Sequence, residues 1–534
     1  MDSQSTLWLY PLAFLAAIAL VLYIRIGIRW TWGFCLQALA MLAAALLGFI
    51  FKPAAFLCAS VGWAIFVFAM LLPRAILSRL EHNLNMLVPD AAMSDARRLR
   101  WFFWGAPGKF WSDMTQAMAA FIKGDKETAE KLVQPWDSFP MPKAARAGLQ
   151  SYVLSGRILL RDWPGIVDEF ARMQRDSGQR LHHGAAIAAS RACLELGKVR
   201  EALTCIELAY LEASRLSSGT LSTMFLPFFA LSGAKKQLQA LLESLRKGRN
   251  ALPECARLYW LGRCHAALAE KEEARRLFNG ASQSVPPSMS AWKERIEYQL
   301  QKLDRAPVDT PPDWSSEISR AEKLLKRAQT VSDVVAPQKT RPAVTALIIL
   351  ILAAYAVSHS YSMFPCPQTL RVSLDCFQWG VLDSHQVGAG EYWRLISYLF
   401  LHSHVSHLAL NVVGLWWFGR LAENLFGTGR FLIIYFASGI LSGLAHVLLS
   451  PEMMAVGASG AVMGVFAAAA AGIFRCKQIL PESIRKTEVR WMLGLAAAQA
   501  VLDQIVPHVA VFAHLGGLLA GVVLGLIIPL RKIK

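Results

Sequence analysis

Closely paired cysteines and acidic residues are both scarce in this sequence. The nine cysteines contain no CxxC pair, so they indicate no metal site. Asp and Glu number 38 against 55 Lys and Arg, which gives a formal net charge of +17. A basic excess is compatible with nucleic-acid binding, but here much of it flanks long apolar segments, where it orients a membrane protein. We therefore expect contacts with membrane lipid and no nucleic-acid partner.

Apolar residues, by contrast, are abundant. They make up 54% of the chain, and the mean hydropathy is +0.36, which is too apolar for an ordinary soluble protein. Signals for β-strands are few, so the sequence predicts an all-α membrane protein. The apolar runs predict a first cluster of spans at 7–24, 32–51 and 54–72, and a second at 343–362, 396–419, 430–450, 459–474, 490–506 and 509–530.

The two clusters of spans divide the chain into four predicted parts. Residues 1–72 form a three-span anchor, 73–305 a helical soluble domain, 306–342 a proline-containing linker, and 343–534 a six-helix bundle. Arginine and lysine residues follow the first and third spans and fill the loop 475–490. The positive-inside rule therefore predicts that the soluble domain and this loop are cytoplasmic.

The same rule places the loop that contains Cys366 and Cys376 outside. These two cysteines form either a disulfide, if that loop faces an oxidising compartment, or a pair of free thiols. We expect a multi-pass integral membrane protein, and the lack of organelle-targeting signals favours a bacterial inner membrane.

The soluble domain contains one stretch that resembles a tetratricopeptide repeat. The matching residues are Leu258, Leu261, Gly262, Ala274, Phe278, Ala281 and Pro286. The alternative is a generic array of helical hairpins. In both cases stacked helix pairs form a surface suited to a cytoplasmic protein partner.

Three polar motifs lie within the predicted spans of the second cluster. Ser459 stands in a Gly-Ala-Ser-Gly turn, His514 lies in the middle of the last span, and His407 precedes Asn411 by one helical turn. An ionisable side chain at membrane depth is costly and indicates a functional role. A serine and a histidine together indicate a nucleophile and its base.

With Trp393-Arg394 upstream, these motifs resemble the rhomboid family of intramembrane serine proteases. The family patterns are WR, HxxxN, GxSG and AHxxG, and this chain has them in that order within residues 343–530. The resemblance implies a serine endopeptidase that cleaves single-span membrane proteins near the outer membrane face. It also implies that no metal or organic cofactor is needed.

The resemblance assigns roles residue by residue. Ser459 is the expected nucleophile and His514 its base, while His407 and Asn411 would stabilise the oxyanion. No Asp or Glu is near His514 in the sequence, and the nearest acid upstream, Asp503, is predicted to lie at the other end of a span. The sequence therefore predicts a Ser–His dyad without a third member.

The remaining site residues are expected to be structural. Gly517 and Gly521 form a GxxxG pattern that lets the last helix approach the serine helix. An aromatic residue is frequent in the family four positions after the serine, where this chain has a methionine. The residues in this structural group are Gly457, Gly460, Gly517, Gly521, Trp393, Arg394, His402 and Met463.

Two other classes of function fit part of the pattern. An inactive rhomboid-like protein would serve membrane quality control or act as a scaffold, but such relatives usually lack the serine or the histidine. A transporter would line a path with intramembrane polar residues. Its spans should show inverted repeats, and none is visible.

Overall fold

The computed structural model describes residues 9–26, 28–176, 183–212, 218–246, 251–305, 312–335, 341–363, 380–506 and 509–531. Contacts divide the chain into two compact units, one within residues 12–329 and one within 330–534. The described residues form helices and no strand, apart from an isolated antiparallel bridge between Leu382 and Ala455. The protein is thus an all-α membrane protein, as predicted. Cys366 and Cys376 lie outside the described residues.

The helices up to residue 335 are numbered α1 to α17. They are α1 Leu9–Ile26, α2 Ile28–Ile50, α3 Ala55–Phe66, α4 Leu72–Asn85, α5 Pro89–Phe102, α6 Ala106–Ile122, α7 Lys126–Asp137, α8 Lys143–Leu159, α9 Trp163–Asp176, α10 His183–Glu195, α11 Val199–Glu212, α12 Ser218–Leu231, α13 Lys235–Ser244, α14 Glu254–Ala267, α15 Lys271–Gln283, α16 Ala291–Arg305 and α17 Ser315–Val335. A π-helical segment, Val67–Leu71, joins α3 to α4.

The helices from residue 342 onward are numbered α18 to α26. They are α18 Pro342–Met363, α19 Ser384–Gly388, α20 Arg394–Ser397, α21 Val405–Gly414, α22 Arg420–Phe426, α23 Thr428–Leu449, α24 Ser459–Arg475, α25 Glu482–Ile505 and α26 Val511–Ile527. A π-helical segment, Leu415–Gly419, joins α21 to α22.

Several of these helices are apolar enough to cross a membrane. Within the described ranges, Trp30–Ile50, Lys52–Leu84 and Thr428–Leu449 combine the length and hydropathy of a span. Shorter apolar helices cover Leu12–Ile24, Thr220–Leu231, Pro342–Ser358, Ser459–Arg475 and Val511–Ile527.

The helices from α4 to α15 form six successive hairpins with a regular period. Each hairpin turn contains one residue with a left-handed backbone: Leu87, Gly124, Arg161, Gly197, Gly233 and Ala269. Their intervals are 37, 37, 36, 36 and 36 residues. In each turn the next backbone N–H bonds the carbonyl five residues back, as from Lys198 to Cys193 at 2.8 Å. This is the Schellman pattern of helix termination.

The array therefore repeats structurally, while its tetratricopeptide identity remains a prediction. The interval exceeds the ~34 residues of that repeat. Small residues bring the two helices of the hairpin α14–α15 close together. A β-carbon added at Gly262 would lie 2.8 Å from the Phe278 ring, and Ala274 and Ala281 are fully buried.

Most of the predicted linker at 306–342 is helix α17. Its Glu317 accepts a hydrogen bond from Arg200 of α11 at 2.9 Å, and its Glu322 accepts one from Gln237 of α13 at 2.9 Å. The first part of α17 thus packs on the array. The segment contains more helix than its proline content indicates.

The predicted second span of the bundle, 396–419, is wrong at its start. Residues 394–400 form the short helix α20 followed by one 3₁₀ turn, and the spanning helix begins at Val405. The His404 side chain caps that helix by accepting the His407 N–H at 3.1 Å. Hydropathy alone did not separate these elements, because residues such as Tyr398 and Leu399 are apolar. Both are also buried, like residues of a span.

Helices α24 and α26 touch through their backbones. A β-carbon added at Gly517 would lie 2.0 Å from the Gly460 carbonyl oxygen, and one at Gly521 would lie 2.0 Å from that of Gly464. The residue numbers of the contacting pairs increase in the same direction along both helices, so the helices are parallel. Their N-terminal ends, which carry Ser459 and His514, are therefore at the same end of the bundle.

Candidate active site

Ser459 is the first residue of α24 and is half-buried. The loop before it is tied to the segment that precedes α21. Leu382 and Ala455 exchange two backbone hydrogen bonds of 3.0 Å, and the Gly457 N–H donates to the Tyr398 carbonyl at 2.9 Å. These bonds fix where the serine helix begins.

Gly457 brings this loop against the imidazole of His407. Its φ is +119°, a backbone conformation that favours glycine. A β-carbon at this position would lie 2.5 Å from Cε1 and 2.6 Å from Nε2 of His407, and 3.6 Å from Nδ2 of Asn411. The two residues of the HxxxN motif therefore face the backbone two residues before Ser459.

The hydrogen bonds of this pair set their orientation. Asn411 Nδ2 donates to the His407 carbonyl at 3.1 Å, and His407 Nδ1 lies 3.4 Å from the Ser403 hydroxyl. With Nδ1 next to Ser403, the Nε2 edge of the imidazole faces Gly457. An amide group has two hydrogens, so Asn411 keeps one that is not committed to the helix carbonyl.

His514 is buried in the first turns of α26. Three helices meet beside it: the Ser442 hydroxyl of α23 donates to the Ala513 carbonyl at 2.7 Å, and a β-carbon at Gly460 would overlap the Ser442 Oγ at 1.8 Å. Ser459 and His514 are both described, and no hydrogen bond joins them. Such a pair is often looser before substrate binds.

The prediction that no carboxylate serves His514 is wrong. Its Nδ1 lies 2.9 Å from Asp503 Oδ2, and both side chains are buried. Helix α25 ends at Ile505 and α26 begins at Val511, so Asp503 lies at the same end of the bundle as His514. Gln499 Nε2 donates to the other carboxylate oxygen, Oδ1, at 2.8 Å.

The other predicted residues lie around this centre. Arg394 is buried, and it donates to Glu391 at 2.6 Å and to the Val381 carbonyl at 2.8 Å, while Trp393 is exposed. The fully buried His402 packs edge-on against His407, with ring centroids 5.1 Å apart. Met463 is half-buried. Among the described residues, no group of three His, Cys, Asp or Glu side chains is arranged to hold a metal ion.

The close approach at Gly457 makes a testable prediction. His407 is the predicted oxyanion donor, and on that prediction Gly457→Ala should reduce turnover by about 10²-fold or more, because the methyl group would displace the imidazole. Gly390→Ala is the matched control, since Gly390 has a similar φ of +103° but nothing within 4 Å of the added carbon. Turnover of the two variants is measured on the same membrane substrate. Equal losses in both would show that backbone strain, and not contact with His407, is responsible.

Comparison with known proteins finds similarity to the rhomboid family. The family model for the Rhomboid domain matches residues 389–531. Rhomboid protease GluP of Bacillus subtilis (strain 168) is 42% identical over 89 residues, 17% of this chain and 17% of that protein. Putative rhomboid protease YdcA of the same organism is 28% identical over 190 residues, 35% of this chain and 90% of that protein.

A eukaryotic relative extends the comparison. Rhomboid-like protease 3 of Toxoplasma gondii is 33% identical over 181 residues, 34% of this chain and 65% of that protein. This chain therefore spans less than a fifth of GluP, nine-tenths of YdcA and just under two-thirds of the Toxoplasma protein. Each of these similarities covers 35% of this chain or less.

Proposed function

Because residues 389–531 of this chain are a rhomboid domain, we propose that the protein is an intramembrane serine endopeptidase. Ser459 is its nucleophile, His514 its general base, and Asp503 the group that orients His514. The observation that carries the proposal is the 2.9 Å contact between His514 and Asp503. This contact lies at the same end of the bundle as Ser459. A buried, paired imidazole beside a serine is the arrangement that activates a hydroxyl.

The first half of the reaction forms an acyl-enzyme. Nδ1 of His514 donates to Asp503, so Nε2 is the nitrogen available to take the Ser459 proton. Ser459 Oγ then attacks the carbonyl carbon of the scissile peptide. The tetrahedral intermediate collapses as Nε2 returns the proton to the leaving amine, which departs with the C-terminal part of the substrate.

The oxyanion of the intermediate is stabilised by His407 and Asn411. With the Ser403 hydroxyl donating to Nδ1, the Nε2–H of His407 is a donor on the side of Gly457. The second amide hydrogen of Asn411 is directed to the same place. Removal of one such donor typically costs about 10²- to 10³-fold in turnover.

Water completes the cycle by hydrolysing the acyl-enzyme. His514 takes a proton from the water, the resulting hydroxide attacks the ester carbon, and Ser459 regains its proton from His514. The substrate's new carboxyl end is released. Since Ser459 is half-buried and starts a helix of only 17 residues, the site lies where water can enter from one membrane face.

The basic end of the bundle indicates which face that is. Arg475, at the opposite end of α24 from Ser459, donates to the carbonyls of Gly525 and Ile528 at 2.7 Å. The loop after it carries further basic residues, and the positive-inside rule makes it cytoplasmic. The site then opens at the outer face, and the substrates are membrane proteins with one span cut near that face. A bacterial inner membrane would suit this orientation, and the helical array would bind a cytoplasmic protein partner.

The proposal is tested by incubating the detergent-purified full chain with a model single-span substrate and mapping the products by mass spectrometry. One cut near the outer end of the substrate's span is expected. Controls contain a serine-protease inhibitor or a metal chelator, and only the former should stop cleavage. The absence of products from a folded protein would favour the alternative of a catalytically inactive scaffold.

A further inference from the structure

A cavity within the helical array is lined by an arginine with too few hydrogen-bond partners. The cavity measures about 60 Å³ and lies among α8, α10, α14 and α16. Arg191 lines it, is 93% buried, and has its Nε and Nη1 atoms without a hydrogen-bond partner. A buried guanidinium is unfavourable unless it is paired, so these two donors require an explanation.

The carboxylate available nearby is already shared. Glu195 accepts two hydrogen bonds from Arg263, at 2.9 and 3.0 Å, and one from Arg191 Nη2 at 2.6 Å. Arg295 also lines the cavity and reaches the Tyr259 hydroxyl at 3.4 Å. Glu195 thus pairs with two guanidinium groups, and Arg295 adds a further positive charge near Arg191. The cavity keeps a local excess of positive charge even with Glu294 in its lining.

We propose that this cavity is a binding site for a small ligand that carries a carboxylate or phosphate group. Nε and Nη1 lie on opposite edges of the Arg191 guanidinium, so such an oxyanion would accept a charge-assisted hydrogen bond from one of these two donors. A single water needs about 10–15 Å³, so the cavity has room for an oxyanion. The mouth carries Arg161, whose guanidinium lies 3.5 Å from the centre of the Tyr298 ring.

The rest of the lining indicates that the ligand also has an apolar part. Ile158, Leu159 and Trp163 border the cavity beside Tyr298. Small-molecule sites commonly combine an apolar wall with a few polar groups that fix orientation. At about 60 Å³ the cavity has room for the acid group but not for an aromatic ring, so an apolar part of the ligand would lie at the mouth, against Tyr298.

The titration of Tyr259 reports the same excess of positive charge. Burial raises the pKa of this phenol, but Arg295, Arg263 and Arg191 outweigh burial and the opposing charge of Glu195, and they lower the pKa to about 7. A bound anion would compensate these arginines. Binding should therefore raise the pKa of Tyr259 and remove phenolate absorbance near neutral pH, which gives a spectroscopic signal local to the cavity.

The test is calorimetric titration of the full-length protein in detergent with inorganic phosphate, phenyl phosphate and phenylacetate, against chloride at equal ionic strength. Saturable binding is expected for the oxyanions, tighter for the two aromatic ligands, with a matching loss of tyrosinate absorbance. Arg191→Gln should weaken binding by about 10- to 100-fold, because charge-assisted hydrogen bonds are lost. Arg276→Gln is the control, since its side chain is 76% exposed on α15.

The outcomes separate the proposal from its rivals. If Arg191→Gln fails to fold, Arg295→Gln serves in its place, with the same expected weakening. Equal binding by wild type and a folded cavity variant would overturn the site. So would the absence of heat and absorbance change with every oxyanion up to millimolar concentration, which would mean that water alone fills the cavity. Because the readouts do not depend on proteolysis, either result leaves the proposed peptidase activity to its own test.

Discussion

Ser459→Ala and His514→Ala are each expected to abolish cleavage of a membrane substrate while the protein remains inserted and folded. Removal of the nucleophile or the base of a unit typically reduces turnover by about 10⁶-fold, and removal of both costs little more. The measurement compares product formation by wild type, both single variants and the double variant in one detergent preparation. Thermal unfolding of each variant shows whether the fold is intact.

Met463→Leu is a suitable control for these two variants, because it changes a half-buried side chain of the same helix as Ser459 without altering charge. It should retain most of the activity, since volume-conserving apolar exchanges are well tolerated. Full activity in Ser459→Ala or His514→Ala would remove that residue from the mechanism. An additive loss in the double variant would show that the two residues do not act together.

Asp503→Asn is expected to lower kcat by about 10²- to 10⁴-fold with little change in KM. An asparagine has the size of the aspartate, but its amide group can donate to Nδ1 of His514. The imidazole proton is then held on Nε2, the nitrogen that must accept the proton of Ser459. The expected effect is therefore on chemistry and not on substrate binding.

Separate measurement of kcat and KM shows whether Asp503 positions His514 or has only a structural role. Asp503→Glu should restore part of the lost turnover, because it returns a carboxylate, and the melting temperature should change little in either variant. Glu452→Gln is the control, since Glu452 is an exposed acid in the loop before Ser459. Unchanged kcat in Asp503→Asn would return the mechanism to a dyad of Ser459 and His514.

The sequence predicted the polar motifs of the site because ionisable groups are conspicuous in apolar spans. It did not predict the contact between Asp503 and His514, because Asp503 was assigned to the far end of a span. Asp503 and His514 are eleven residues apart in the sequence, and this separation is compatible with opposite ends of a span. Because the turn between α25 and α26 is short, both side chains project from the same end. Counting outward from the turn would have found the pair.

The regular array was also only partly visible in the sequence. Gly124, Gly197 and Gly233 mark three of the hairpin turns, and glycine is the usual residue at a left-handed helix end. The turns at Leu87, Arg161 and Ala269 have the same left-handed backbone without glycine. Tertiary packing imposes the conformation there, so a search for glycine signals misses half of the repeat.

Seven of the nine predicted spans correspond to apolar helices of the structure, but hydropathy did not predict every helix start. Within residues 394–400, four side chains are buried and Ile396 is exposed; the buried ones are Arg394, Leu395, Tyr398 and Leu399. The segment packs against α23, where the Tyr398 hydroxyl donates to the Gly439 carbonyl at 2.7 Å. The start of the next helix depends on a side-chain cap from His404. Such a cap is hard to predict from sequence, because a histidine at this position could equally serve another structural or catalytic role.

Covalent labelling of Ser459 tests the central claim most directly. A fluorophosphonate reacts with a serine whose hydroxyl is activated by a neighbouring base, forming a bond from Oγ to phosphorus as fluoride leaves. Peptide mass mapping of the labelled full chain is expected to find the adduct on Ser459 in the wild type and to find none in His514→Ala. An unmodified Ser459 in a preparation that still cleaves its substrate, or an adduct that persists without His514, would contradict the account.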